Sequence, residues 1–414
     1  MKEKFKGIKR EIFIYFVIIA LSALAAGFSD GVFSNYFKDA YNISAFQRGL
    51  IEFPRELPGV LLIVIISLLA FLGDVRTAVI SSLMSVVGVM VLGLVTPSFG
   101  VMLIFLFINS LGMHMLMPVQ DGIGMALIGT ENPGKRMGQY KGVSTGFTMI
   151  AGILVFVGVR TGFFDFTTKI KPIFIISAII SMITLILFIV LQKCIKTPIK
   201  TSRKTKIIFR KEYKYYYILA IMHGVQKQIM IVYGPWVLIE ILNKKADTLA
   251  LLGIVGAFIG IFFIPALGRW LDRFGIKKLL YVDALSFIGV YSIYGLLAGG
   301  FASGRLATVG APVILIFAIF IIDKMSMQMG MIKVLYLRSI AIDPDEITPT
   351  LSLGISMDHI VSIICAYIGG MVWSAWGPQY IFFLAAGLSF INLFVASKVK
   401  NKEVEILNNT KLEV

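Results

Sequence analysis

The chain has 414 residues, 57% of them hydrophobic and 15% charged, with mean hydropathy +0.87 and a formal net charge of +16. A soluble chain carries about 25% charged residues, so a set of water-soluble domains is excluded, as are a disordered chain, a collagen and a coiled coil. Leu, Ile, Val, Phe and Met run instead in blocks of about twenty, the length that crosses roughly 30 Å of hydrocarbon as helix.

Apolar runs bounded by charges, Gly and Pro predict twelve spans. Six precede the longest break: 11–37, 47–71, 78–95, 100–128, 138–160 and 172–193. Six follow it: 214–240, 248–267, 278–300, 310–340, 348–374 and 378–397. The expected class is therefore an all-α membrane protein of twelve transmembrane helices in two six-helix bundles. The expected divisions are a first bundle (1–193), a basic linker loop (194–213), a second bundle (214–397) and a tail (398–414). Two cysteines, Cys194 and Cys365, imply no disulfide or metal framework.

Placing the basic residues explains the net charge. Twenty-five lie at the N-terminus, in the linker, in the tail and in loops on the same side, against seven on the other: Lys38, Arg48, Lys169, Lys171, Lys244, Lys245 and Arg305. The positive-inside rule then puts both termini in the cytoplasm of a multi-pass protein of the cytoplasmic membrane. Residues 1–25 have the outline of a signal peptide, ending in Ala23-Leu24-Ala25. The apolar run continues to Phe33, however, and cleavage would leave eleven spans, so the first span is expected to be retained.

The loop after the eighth span reads Gly268-Arg269-Trp270-Leu271-Asp272-Arg273-Phe274-Gly275-Ile276-Lys277-Lys278. It resembles the G-x-x-x-D-R-x-G loop of the major facilitator superfamily (MFS). The loop after the second span offers Asp74 and Arg76, with Asp74 198 residues before Asp272, close to half the chain. Residues 131–138 resemble a further family loop, more weakly. With the six-plus-six span count, the resemblance covers nearly the whole chain. It implies alternating access, spans 3, 6, 9 and 12 at the periphery, and a cytoplasmic gate formed by Asp74, Arg76, Gly268, Asp272, Arg273 and Gly275.

Ionisable groups within spans are costly and usually face a cavity or each other. Spans 3, 6 and 12 have none in their interiors, and span 9 has only Asp283. Arg55, Lys227 and Lys324 are the candidate substrate-binding cations. Asp30, Glu56, Asp323 and Asp358 are the candidates for proton coupling, because burial disfavours the charged carboxylate. Glu52, Arg55 and Glu56 share a helical face, so an internal Arg–Glu pair is a competing reading there, and Pro54 and Pro58 are expected to bend that span. A carboxylate partner such as Asp358 or Asp323 competes likewise for Lys227. His114, His223 and His359 are scattered singly, with structural or cavity roles expected rather than metal binding. Gly142/Gly146 and Gly256/Gly260 have the spacing of close helix packing. Trp236, Trp373 and Trp376 fit an aromatic belt.

No nucleotide loop, G-x-S-x-G or H-E-x-x-H appears, so an ATP-driven pump or membrane hydrolase lacks support. The expected function is secondary transport of a small anionic or zwitterionic organic solute, coupled to protons, with membrane lipid the other contact. No enzyme activity, cofactor, metal or nucleic-acid partner is expected, and the chain is expected to be a monomer. The alternatives are an exporter of lipophilic drugs or lipids, which the missing G-P-x-x-G-G pattern in the fifth span argues against, and a non-transporting membrane sensor.

Overall fold

The computed structural model describes residues 10–128, 133–195, 208–343 and 346–399. The first basic cluster, most of the linker and the tail beyond Val399 lie outside the described residues, as do 131–132 of the 131–138 loop.

Thirteen α-helices form in chain order: α1 (Arg10–Ser29), α2 (Phe33–Tyr41), α3 (Ala45–Leu69), α4 (Asp74–Leu94), α5 (Phe99–Ile128), α6 (Pro133–Arg160) and α7 (Pro172–Cys194). Then follow α8 (Lys214–Trp236), α9 (Ala246–Ala302), α10 (Ala311–Gln328), α11 (Met331–Ile340), α12 (Ile347–Trp376) and α13 (Gln379–Lys398). No β-strand occurs among the described residues.

These helices resolve into the twelve expected crossings. A 3-10 turn at Asp30–Val32 joins α1 to α2 as one broken span. The 57 residues of α9 would run to about 85 Å if straight. They make two crossings, parted at Gly275, whose φ of 76° and ψ of 165° are not helical. A turn at Met329 and Gly330 divides the tenth span into α10 and α11, with hydrogen bonds of the tighter i to i+3 type. Nine helical stretches among the described residues are long and apolar enough to cross a membrane, counting α9 once. The less apolar pair, α3 and α8, carry Arg48, Glu52, Arg55 and Glu56 in one and Lys227 with several tyrosines in the other. Many large apolar side chains, such as Leu68 and Ile314, are exposed, as expected where lipid rather than water is the solvent.

Two compact units form. Among the described residues the first comprises 10–42, 54–128, 133–195 and 245–251; the second comprises 43–53, 208–244, 252–343 and 346–399. Residues 43–53 cluster with the second unit and 245–251 with the first.

In the first unit α4 packs on α5 and α7, and α1 packs on α6 and α7. Its core gathers Tyr15, Ile18, Met115, Ile123 and Phe188. Gly142 and Gly146 on α6 meet nothing within 4 Å of where a Cβ would stand, so their spacing does not mark a close helix crossing among the described residues. Lys171, assigned from sequence to an outer loop, is fully buried as the residue before α7. Its ammonium donates to Thr96 Oγ1 and, at 3.1 Å, to the Lys169 carbonyl.

In the second unit α8 is the hub, against α12 and α13. The start of α3 joins it. Gly49 approaches Tyr233 so closely that a Cβ would stand 2.6 Å from the phenolic oxygen, and Tyr233 donates to the Ala366 carbonyl. Trp236 is fully buried at the end of α8, so it packs the interior instead of joining an aromatic belt. Trp376 is 68% exposed at the end of α12, where a belt residue belongs.

Candidate functional site

The densest group of charges in the second unit is built from α8, α11 and α12, with α9 contributing from its second half. On α8, His223 and Lys227 are one turn apart and share a face. Gly224 between them lets α12 come close: a Cβ there would lie 2.7 Å from Asp358 Oδ1. Across that contact Lys227 donates to Asp358 Oδ2, with the two side chains 20% and 14% exposed. His223 Nδ1 lies 3.9 Å from Asp358 Oδ1, an electrostatic contact too long for a hydrogen bond.

Lys333 completes the group. The turn between α10 and α11 brings Gly330 against the His223 ring, where a Cβ would lie 2.5 Å from Nε2. Lys333, three residues on, interacts electrostatically with Asp358, Lys227 and Asp283. It is partly buried and makes no ion pair within 4 Å among the described residues. Two ammonium groups and an imidazole thus act on Asp358, and Lys333 acts on Asp283 as well. Only one direct Lys–carboxylate hydrogen bond is formed. The remaining ammonium can meet an incoming anion without first breaking a protein ion pair.

Asp323 lies deeper in the second unit. It is 2% exposed on α10 and acts electrostatically on Tyr291 of α9. Tyr291 donates to the Gln226 carbonyl at 2.8 Å, and the Gln226 amide donates to Ser389 Oγ at 2.8 Å. Lys324, next along α10, points elsewhere: its Nζ lies 5.1 Å from the Phe320 ring centre and its stem lies beside Gly256. The structure therefore does not bring Lys324 into the Lys227 group.

The second span is divided differently from the sequence reading. Glu52 is fully buried and pairs with Arg48, 2.5 Å away and one turn earlier. Gln228 donates to its other oxygen at 2.9 Å. Arg48 is thus part of a buried network with Glu52 and Gln228 rather than an outer-loop cation. In the first unit Arg55 acts electrostatically on Asp30 and lies 6.0 Å from the Phe33 ring centre. Its carbonyl accepts from Ser110 Oγ, which also contacts His114 Nδ1 at 3.1 Å. Asp30 receives a long contact from Ser29 Oγ at 3.5 Å. Glu56 is partly buried one residue beyond Arg55.

The loop residues expected to form a gate take several forms. Asp272, Arg273 and Arg76 are exposed, whereas Asp74 is buried at the first turn of α4. Gly275 and Gly73 adopt nearly the same backbone, φ 76° and 81° with ψ 165° and 162°. The two loops therefore correspond at these glycines, 202 residues apart, rather than at Asp74 and Asp272. In that register Ala70 stands opposite Asp272. Gly268 has nothing within 4 Å of a Cβ and no unusual backbone.

Sequence reasoning missed Lys333, the central place of His223 and the reach of Asp283 from a span expected to be peripheral. A lysine just beyond a glycine in an apolar span was the available signal for the first.

The family model described as Major Facilitator Superfamily matches residues 15–343. A search of curated proteins by sequence finds no match. Among solved structures the chain is similar to the nucleoside transporter NupG, with TM-score 0.76, 14% identity, and 94% of this chain and 99% of that one covered. It is also similar to the POT family transporter PepTSo, at TM-score 0.72 and 11% identity over 94% and 97% of the two chains. A third similar structure is a bacterial homologue of the iron transporter ferroportin, at TM-score 0.69 and 13% identity over 95% and 99%. These identities support a shared fold. With the family match over most of its length, the chain belongs to the Major Facilitator Superfamily.

Proposed function

We propose that the chain is a secondary active transporter of a small organic anion or zwitterion, working by alternating access and coupled to protons. The observation that carries the reading is the His223–Lys227–Asp358–Lys333 group, in which Lys227 is hydrogen bonded to Asp358 while Lys333 makes no ion pair within 4 Å among the described residues. An isolated charge inside a span is expensive and tends to mark a substrate or ion path. Lys333 binds the substrate anion in this reading, Lys227 orients Asp358, and Asp358 or the deeper Asp323 carries the proton. Arg55, Asp30 and Glu56 form the first unit's own polar group, and Lys324 keeps a secondary role. The exposed Asp272 and Arg273 act at a gate with Arg76. Orientation follows the charge asymmetry, with both termini on the cytoplasmic side of the plasma membrane.

Among the similar structures, one POT family transporter is in complex with 5-aminolevulinic acid and another with alafosfalin, a precedent in this fold for small amphoteric ligands. The test is uptake into proteoliposomes with an imposed pH gradient, using a panel of amino acids, short peptides and carboxylates. One class accumulating with the gradient and failing in Lys333→Met supports the reading. Flux of lipophilic compounds alone, indifferent to Lys333, favours the exporter; saturable binding without flux favours the sensor.

A further inference from the structure

A cavity of about 220 Å³ lies within the first unit, bounded by α1, α4, α5, α6 and α7. Its lining contains no ionisable side chain, and eleven of its nineteen residues are Ser, Thr, Asn or Gln. Two kinds of hydroxyl belong to its lining residues. Ser177, Thr184 and Thr148 have given their protons to helix carbonyls, Ser177 to Ala25 at 2.8 Å, and so offer lone pairs. Ser22 of α1 and Ser82 and Ser85 of α4 are different: each Oγ is shielded from solvent and has no hydrogen-bonding partner among the described residues. Ser82 is 3% exposed and lines the cavity. Within a span such groups are normally satisfied by a neighbouring helix or a bound polar molecule.

We infer that this cavity is a binding site for a small neutral polyhydroxylated molecule, up to the size of a monosaccharide. Charge selects against ions, because an ion here would have no counter-charge in a low-dielectric setting. The lining needs a ligand that donates to Ser177 and Thr184 and accepts from Ser82 and Ser85. A hydroxyl group does both, whereas a carbonyl only accepts. The volume is below the usual range for drug-sized ligands. The exposed side chains of Met117 and Thr148 mark its mouth, and Asn109 and Gln120 supply amides able to donate or accept. The inference does not depend on the charged group of the second unit.

The test is equilibrium dialysis of the purified full chain against radiolabelled xylitol, with D-glucose and gluconate as competitors. Saturable binding is expected, displaced by glucose and not by gluconate, and weakened at least tenfold in Ser82→Val/Ser85→Val while Ile314→Ala, on an exposed face of α10, binds as the parent does. Dialysis separates site binding from the general stabilisation that polyols exert by exclusion from protein surfaces. Should the double variant not fold, Ser85→Ala and Ser181→Leu replace it, the second narrowing the cavity without touching α4. Absence of saturable xylitol and glucose binding in the unaltered chain, or equal binding by every cavity variant, would overturn the proposal and leave the cavity to water.

Discussion

Lys227 and Asp358 meet across the α8–α12 contact only because residue 224 is glycine: a Cβ at that position would press on the Asp358 carboxylate and its backbone. The pair is mostly buried, so its two halves are unequal to lose singly and together. Removing one partner of a buried pair costs about 3–5 kcal/mol, because the survivor stays buried and uncompensated. Lys227 keeps some exposure, which puts Asp358→Asn near the lower end, roughly 3 kcal/mol. Lys227→Met/Asp358→Asn should recover part of that loss. Apparent melting temperatures in detergent, ordered single variant below double variant below parent, would establish the coupling. A double variant no better than Asp358→Asn would contradict it.

Lys333 behaves in the opposite way. It makes no direct ion pair among the described residues, so Lys333→Met breaks no direct contact and removes only its longer-range attraction for Asp358 and Asp283. Thermal stability should stay level or rise slightly. If Lys333 receives the substrate's anionic group, transport should fall at least tenfold, through a higher KM for anionic substrates. Lys333→Arg should restore charge with altered affinity, since the planar guanidinium presents a different donor geometry. Uptake kinetics for the parent and both variants measure this directly. A loss confined to maximal rate, with unchanged KM, would assign Lys333 to the conformational cycle instead.

The contrast between these lysines explains what the sequence could disclose. Span number and order were legible because hydrocarbon thickness sets a length that apolar runs must match. Lys227 was legible too, as a charge deep in an apolar run. Its partner was narrowed to Asp358 or Asp323, and only packing, across 131 residues of chain, decides for Asp358. Lys333 was hidden by the turn at Gly330, which places it against α8 in a way that no helical periodicity encodes. Arg48 and Glu52 have the i, i+4 spacing of a helical ion pair. Their burial was still unreadable, because a span edge looks the same whether it faces headgroups or a neighbouring helix.

A third network lies outside the spans. Glu346, at the start of α12, accepts from Arg210 Nε at 2.9 Å and from Tyr213 at 2.5 Å. The Tyr213 oxygen in turn accepts from the Ile342 amide at 3.1 Å. The hydrogen bonds from Arg210, then those from Tyr213, hold the Glu346 carboxyl below its ordinary value of 4.5. Burial pushes the Tyr213 phenol up, so it remains a donor at neutral pH. A depressed carboxyl contributes stability above its unfolded value, and that contribution disappears as pH falls through the folded one. Parent and Glu346→Gln should therefore differ in melting temperature at pH 7 and converge below about pH 4.5, the unfolded reference. A gap that persists undiminished at pH 3.5 would mean the carboxylate charge is not what anchors Arg210 and Tyr213 to Glu346.

Two glycines of one loop should respond in opposite directions. Gly275 holds a positive φ that parts the two crossings of α9. A side chain there strains the backbone by roughly 1–3 kcal/mol, or forces the helix to continue and misplaces the second crossing. Gly268 sits in regular helix with open space where a Cβ would go. Alanine in a helix interior is favoured over glycine by about 1 kcal/mol, so Gly268→Ala should raise stability where Gly275→Ala lowers it. Gly73, with the same backbone as Gly275, should follow Gly275. Melting temperatures of the three alanine variants test the structural side. Transport separates the rest: if Gly268 acts at a gate by letting another segment approach during the cycle, Gly268→Ala should lose flux despite its higher melting temperature. Gly268→Ala with full flux would confine the glycine requirement of this loop to the backbone turn at Gly275.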